Sequence, residues 1–128
     1  REAVGGLRER YEKDPDGIGP GINRLGELAQ VGIAALDDGD AQALGSAMNR
    51  AHEVLAELGL SLPVLNRLTA AARNAGALGA KLTGGGLGGC VIALADGEAA
   101  ADRIRGALEG AGAPAAWIYQ IRTSEVNE

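Results

Sequence analysis

The sequence predicts an α+β domain in which helices cover one face of a small antiparallel sheet. The order of the periodic segments is the first observation: several helical segments come first, followed by strand, strand, helix and strand. The composition is the second. Hydrophobic residues make up 46% of the 128 residues and Phe is absent, so Leu, Ile, Val and Ala must form the core.

The helical part is predicted to contain four segments, each limited by turn-forming or capping residues. The inward positions of the second segment include Ile33 and Leu36, and Asp40 is expected to cap the third. Ser61 is expected to cap the fourth, which has Pro63 in its first turn, and Gly76 is expected to end it. The segments are Arg1 to Lys13, about Ile22 to Leu36 after an interruption at Pro20 and Gly21, Ala41 to Leu58, and the segment capped by Ser61.

The second half predicts three strands and one helix. Gly79–Thr83 and Cys90–Leu94 are strand candidates, and the apolar, partly β-branched second run is expected to be buried. A helix is predicted over Glu98–Glu109, and the alternation in Ala115–Ile121 predicts the last strand. A sheet this small is expected to have a fourth strand upstream of Arg1, and the chain is therefore expected to be part of a longer protein.

Composition and charge exclude several classes of function. The net charge is −5, and no basic stripe for a nucleic acid or an anionic membrane surface is present. The sequence contains no run of about 18 apolar residues, so no membrane span is predicted. The single cysteine, Cys90, cannot form an internal disulfide and is expected to act as a small buried hydrophobe. A cytoplasmic location is the resulting expectation.

The segment Gly84–Gly89 is the strongest local signal for a site. Five of its six residues are glycine, and it lies between two predicted strands. Such a segment is entropically costly, and it suits a sharp bend that a ligand or another chain approaches closely. It opens a strand instead of a helix and lacks Gly-Lys-Ser/Thr, so the dinucleotide and Walker patterns are rejected. The pattern leaves open a ligand-facing anion nest, with Lys81 and Thr83 at its rim, and a purely structural loop.

The remaining candidates for chemistry are weaker. His52 is the only histidine, and no second His or Cys stands at ligand spacing, so no metal site is predicted. A core or subdomain-facing position is the preferred interpretation of His52. Asn49 precedes it by three residues and shares its helix face, which is expected to border a cleft. No Ser-His-Asp set or carboxylate pair stands out.

The glycine segment and its flanks resemble a known family. The run Lys81–Cys90 resembles the third conserved motif of GHMP kinases, which is K-x-T-G-A-G-x-G-G-C in mevalonate kinases; Gly85 replaces the usual Ala. The likeness extends from about Asp14 to about Tyr119. Further matching motifs are Met48-Asn49-x-x-His52, Leu58-Gly59-Leu60-Ser61-x-Pro63-x-Leu65, Ala71-Ala72-Arg73 and Gly76-Ala77-Leu78-Gly79-Ala80-Lys81.

The resemblance implies a ferredoxin-like C-terminal domain of a two-domain kinase with its active site between the domains. It places seven residues on the active-site wall, facing ATP and substrate, and it implies no proton-transfer residue in this chain. Asn49 and His52 match family positions and are carried over as cleft-side structure only. The wall residues are Lys81, Thr83, Gly84, Gly85, Gly86, Gly88 and Gly89.

The family's ATP loop, P-x-G-x-G-L-x-S-S-A, has no match here, nor have the Asp and Lys that handle the accepting hydroxyl. The resemblance implies that this domain has a partner, an N-terminal domain of the same protein, which binds most of the ATP and Mg²⁺. It also implies that the full-length protein phosphorylates mevalonate. This chain alone is therefore expected to be inactive, because one wall of a cleft cannot position and neutralise the phosphates.

Two other interpretations remain open from the sequence. A sister GHMP kinase acting on phosphomevalonate, homoserine or a sugar would share the glycine segment. A stand-alone ferredoxin-like module that binds a small anion or a protein is the alternative from a different class. If an N-terminal domain normally covers part of this chain, the exposed surface is expected to favour a homodimer.

Overall fold

The computed structural model describes residues 12–83 and 90–120, and these form an α+β structure, which confirms the predicted fold class. The antiparallel sheet has two strands, and helices cover one of its faces. No helix among the described residues is both long and apolar enough to cross a membrane. The elements are α1 (Pro15–Asp38), α2 (Ala41–Glu57), α3 (Pro63–Asn74), β1 (Gly79–Thr83), β2 (Cys90–Leu94) and α4 (Glu98–Gly110).

The first long helix, α1, begins earlier than the sequence pattern predicts. Asp14 caps it by accepting a hydrogen bond from the Gly17 N–H (3.1 Å), and Pro15 occupies the first turn. Pro20 lies inside the helix, so the interruption predicted there is wrong. The residue before it, Gly19, has no Cβ to clash with the proline ring, which permits the helical conformation. The polar helix predicted over Arg1–Lys13 lies almost wholly outside the described residues.

The inward face of α1 also differs from the prediction. Ala35 is buried, whereas Ile33 and Leu36 are exposed to 56% and 44%. Their inward placement was therefore a wrong prediction. The smaller residues Gly32 and Ala35 face α2 instead, because they allow the two helix axes to come close together.

Helices α2 and α3 occupy the predicted positions, with one exception in their caps. The Asp40 side chain accepts from the Ala43 N–H (3.1 Å), and Gly59 ends α2 with a φ of 78°. Gly76 follows α3 with a φ of 107°, as expected for a glycine after a helix. Ser61 does not cap α3: the residue before that helix is Leu62, without a side-chain cap bond.

The sheet is a two-stranded antiparallel pair whose register fixes both ends of the glycine segment. Lys81 pairs with Ile92, and Thr83 pairs with Cys90. One face of the sheet packs on α3 and α4, where the core cluster is Ala72, Ala80, Ala100 and Ile104. The prediction that β2 is buried was wrong, because Cys90 is exposed and Ile92 is 46% exposed on the opposite face.

The predicted last strand is not formed among the described residues. Residues 115–120 pair with no strand, and the side chains of Trp117 and Tyr119 are 75% and 85% exposed. The alternation of residue types gives this segment β propensity, but a strand also requires a neighbouring edge to bond. No described strand pairs with this segment, and Ile121 lies outside the described residues.

Helix α2 lies directly against the start of β1, and two glycines make this contact possible. A Cβ on Gly45 would stand 2.8 Å from the Cβ of Leu78, and a Cβ on Gly79 would stand 2.6 Å from the Cα of Gly45. Real side chains do not tolerate such distances, so both positions require glycine for steric reasons. The close approach brings the side chains of α2 to the backbone of β1.

We expect Gly45→Ala to lower the free energy of unfolding of the chain by about 1–3 kcal/mol, because it overpacks the α2–β1 contact. Gly26→Ala is the matched control in α1, where a new Cβ meets nothing within 4 Å. It should raise stability by about 0.5–1 kcal/mol through helix propensity. Urea unfolding followed by circular dichroism measures both. Equal effects of the two substitutions would contradict the close contact.

Candidate functional site

The candidate site is the end of β1, where Lys81 and Thr83 precede the glycine segment. Both residues are half-buried, and both have backbone partners on β2. The sequence-predicted glycines Gly84, Gly85, Gly86, Gly88 and Gly89 lie outside the described residues. The described part of the site therefore consists of β1 and the side chains that hold it.

Asn49 of α2 bonds the backbone of β1 in the way a neighbouring strand would. Its Oδ1 accepts from the Ala80 N–H (2.9 Å), and its Nδ2 donates to the Leu78 carbonyl (3.3 Å). The carboxamide thus supplies one acceptor and one donor, as a peptide group does. Asn49 satisfies backbone groups on the edge of β1 that β2 does not occupy.

His52 bonds the same edge of β1 two residues further along the strand. Its Nδ1 accepts from the Leu82 N–H (3.1 Å), and its Nε2 lies 2.9 Å from the Asn66 Oδ1. A backbone N–H can only donate, so Nδ1 is the unprotonated nitrogen and Nε2 carries the proton. The side chain is 5% exposed, which agrees with the core position preferred for it from the sequence.

Three residues around His52 join α3 to this edge and were not predicted from the sequence. Asn66 Oδ1 also accepts from the Ser61 hydroxyl (2.8 Å). The Thr69 hydroxyl donates to the Asn66 carbonyl (3.0 Å) and lies 3.4 Å from the His52 Nε2. The spacing of Asn66 and Thr69, one helical turn apart, was the only available signal, and such polar pairs are common on exposed helix faces. The network makes α3 a support for His52.

Lys81 lies between Ala80 and Leu82, the two residues whose N–H groups are bonded by α2 side chains. Its side chain reaches a groove between α1 and α2. Its Nζ donates to the Leu82 carbonyl (2.8 Å), and no carboxylate lies within ion-pair distance of it among the described residues. Burial lowers the pKa of Lys81 below the ordinary lysine value. The groove has a volume of about 350 Å³ and is lined by Leu25, Leu28, Ala29, Gly32, Leu44, Ala47, Met48, Ala51, Leu55 and Lys81.

The arrangement presents one half-buried cation and one hydroxyl, Lys81 and Thr83, from a strand held at both edges. Such groups can contact an anionic ligand, but they form no acid–base or nucleophile pair. The described residues also contain no cluster of three His, Cys, Asp or Glu side chains that would hold a metal ion.

The comparisons with known proteins identify the family. The model of the C-terminal region of GHMP kinases matches residues 33–113, so the chain belongs to the GHMP kinases through this region. Among curated relatives, the chain is similar to mevalonate kinases. It is 45% identical to the one from Pyrococcus abyssi over 103 residues, which are 77% of this chain and 31% of the relative. The chain thus spans about a third of the length of this relative.

Solved structures agree with the sequence comparison. The L. major mevalonate kinase in complex with R-mevalonate matches with a TM-score of 0.80 at 29% identity, over 85% of this chain and 33% of that one. The Lin0012 protein from Listeria innocua matches with a TM-score of 0.79 at 24% identity, over 87% and 33%, and shows the shared fold. The fold implied by the resemblance is therefore confirmed.

We expect Lys81→Met to raise the thermal stability of the chain at pH 7. The Lys81 amine is more easily protonated in the unfolded chain than in the folded one, because burial lowers the folded-state pKa below 10.5. The charge therefore destabilises the fold below the folded-state pKa, and stability rises as pH increases from that value to the unfolded one. The gain from Met should shrink over this same pH range.

Thermal unfolding followed by circular dichroism, at pH 7 and again near pH 10, measures this difference. Lys13→Met is the matched control, because Lys13 is exposed and lies before α1. A lower melting temperature for Lys81→Met than for the original chain at pH 7 would show that the ammonium stabilises the fold.

Proposed function

We propose that this chain is the C-terminal domain of a mevalonate kinase, whose complete form transfers the γ-phosphoryl group of ATP to a hydroxyl of mevalonate. One observation carries the proposal: the Lys81–Thr83 strand end, which leads into the glycine motif, lies in a chain 45% identical to a mevalonate kinase. A structural relative that contains R-mevalonate has the same fold, which supports the choice of acceptor.

In this proposal the chain contributes one wall of the cleft. Catalysis of phosphoryl transfer depends on positioning and on neutralising the phosphate charges. Lys81 supplies one positive charge and Thr83 one hydroxyl at the rim, and the glycine segment between Thr83 and Cys90 faces the nucleotide and acceptor. Binding of most of the ATP and of Mg²⁺ belongs to an N-terminal domain. No metal step is assigned to the described residues, because their side chains do not form a Mg²⁺ site.

The test is ADP release with Mg²⁺ and ATP by the complete gene product that contains these residues. Mevalonate, phosphomevalonate, homoserine and galactose are the acceptors, and the 128-residue chain is the control. We expect turnover on mevalonate by the complete protein and none by the chain alone, because one wall of a cleft cannot position and neutralise the phosphates.

Each other result has a definite meaning. Turnover by the chain alone would contradict its role as one wall of a cleft. A preference for homoserine or phosphomevalonate would retain the GHMP kinase family and overturn the acceptor. A folded complete protein that is inactive on all four acceptors would overturn the kinase proposal and favour an anion-binding module.

A further inference from the structure

Asn49 and His52 bond three backbone groups, one just before β1 and two within it, that lie on either side of Lys81. The groups are the Leu78 carbonyl, the Ala80 N–H and the Leu82 N–H. Alternate residues of a strand direct their backbone groups to the same edge, so the two N–H groups, at Ala80 and Leu82, belong to one edge. The intervening residue, Lys81, is paired with Ile92 of β2 on the other edge. The strand is therefore held from both sides at the residue that carries the cation.

The two side chains are themselves fixed in place. His52 is 5% exposed and is held on its far side by Asn66, which is bonded by Ser61. Asn49 is held along the strand by the glycine contact between α2 and the start of β1. His52 is buried and Asn49 is partly buried. Each side chain makes two hydrogen bonds, which a change of rotamer would break. Both are rigid supports of the kind that a binding site requires in its outer shell.

We propose that Asn49 and His52 are positioning residues for Lys81 and Thr83 on the active-site wall, acting through the backbone of β1. The proposal rests on the proposed kinase function. Asn49 sets the register of the strand at Ala80, and His52 fixes its direction at Leu82, one residue before Thr83. Displacement of reacting groups by about 1 Å can cost about 100-fold in rate, so a support of this kind affects catalysis without touching substrate.

The first arm of the test measures the position of Lys81 in the 128-residue chain. Lys81 and Lys13 are the only lysines, so their side-chain Nζ and Cε signals are readily assigned by NMR. Asn49→Leu removes the acceptor for the Ala80 N–H and the donor to the Leu78 carbonyl without adding a charge near Lys81. His52→Leu removes the acceptor for Leu82. In both variants we expect the pKa of Lys81, read from its NMR titration, to rise towards the ordinary lysine value as β1 loosens. The Lys13 signals should show no difference between the variants and the original chain.

The second arm measures steady-state kinetics of the complete gene product. His52→Leu should lower kcat/KM by about tenfold or more. His52→Asn should restore most of this loss, because its amide oxygen stands near the place of Nδ1 and accepts from Leu82. Asp14→Ala is the matched control: it removes the side-chain cap of α1 but touches neither His52 nor β1, so it should lower stability and leave kcat/KM unchanged.

The outcomes separate the two proposals. Folded variants with an unchanged Lys81 titration would overturn the positioning role, as would equal kinetic losses in His52→Leu and Asp14→Ala. A moved Lys81 signal with a tenfold loss that His52→Asn restores would support it. If the Lys81 signal moves but the complete protein has no kinase activity on any acceptor, the proposed function fails. The positioning role in phosphoryl transfer then fails with it, and the edge bonds remain a structural device.

Discussion

The structure depends on one constraint, which is that the backbone groups on the free edge of β1 must be hydrogen-bonded. A buried N–H or C=O without a partner costs about 1–3 kcal/mol, and strands usually meet this need with another strand. Here Asn49 and His52 of a helix provide the partners instead. The bonds require α2 to lie very close to β1, which explains the two glycines, Gly45 and Gly79, at their contact.

Fixing α2 in this way determines the rest of the arrangement. The face of α2 that bonds β1 cannot rotate, so its neighbouring face meets α1 and forms the apolar groove that Lys81 reaches. The far side of the His52 ring meets Asn66 and Thr69, which sets the position of α3 over the sheet. The small core, in which Ala72 and Ala80 are fully buried, then brings α3 and the strands close together. These packing requirements position the strand end that carries Lys81 and Thr83.

Local patterns predicted the fold class, the bounds of two strands and three of the helices, because turn residues and periodicity are local signals. The pattern failed where tertiary context decides. Pro20 continues a helix since Gly19 relaxes its clash, and the segment containing Trp117 has strand propensity but pairs with no described strand. Asn49 and His52 were recognised as matching a family, but their bonds to β1 were not, because no sequence spacing encodes which helix face meets a strand edge. Whether the glycine segment contacts a ligand stays a prediction.

The most direct test of the account is the protonation of the single histidine, read from a long-range ¹H–¹⁵N NMR spectrum of the chain at neutral pH. We expect that Nδ1 is unprotonated and that Nε2 carries the proton, since Nδ1 accepts from the Leu82 N–H and Nε2 donates to Asn66. A coupling across the hydrogen bond, between the Leu82 amide nitrogen and the His52 Nδ1, would accompany this pattern. A proton on Nδ1 would contradict the account, because His52 could not then close the edge of β1.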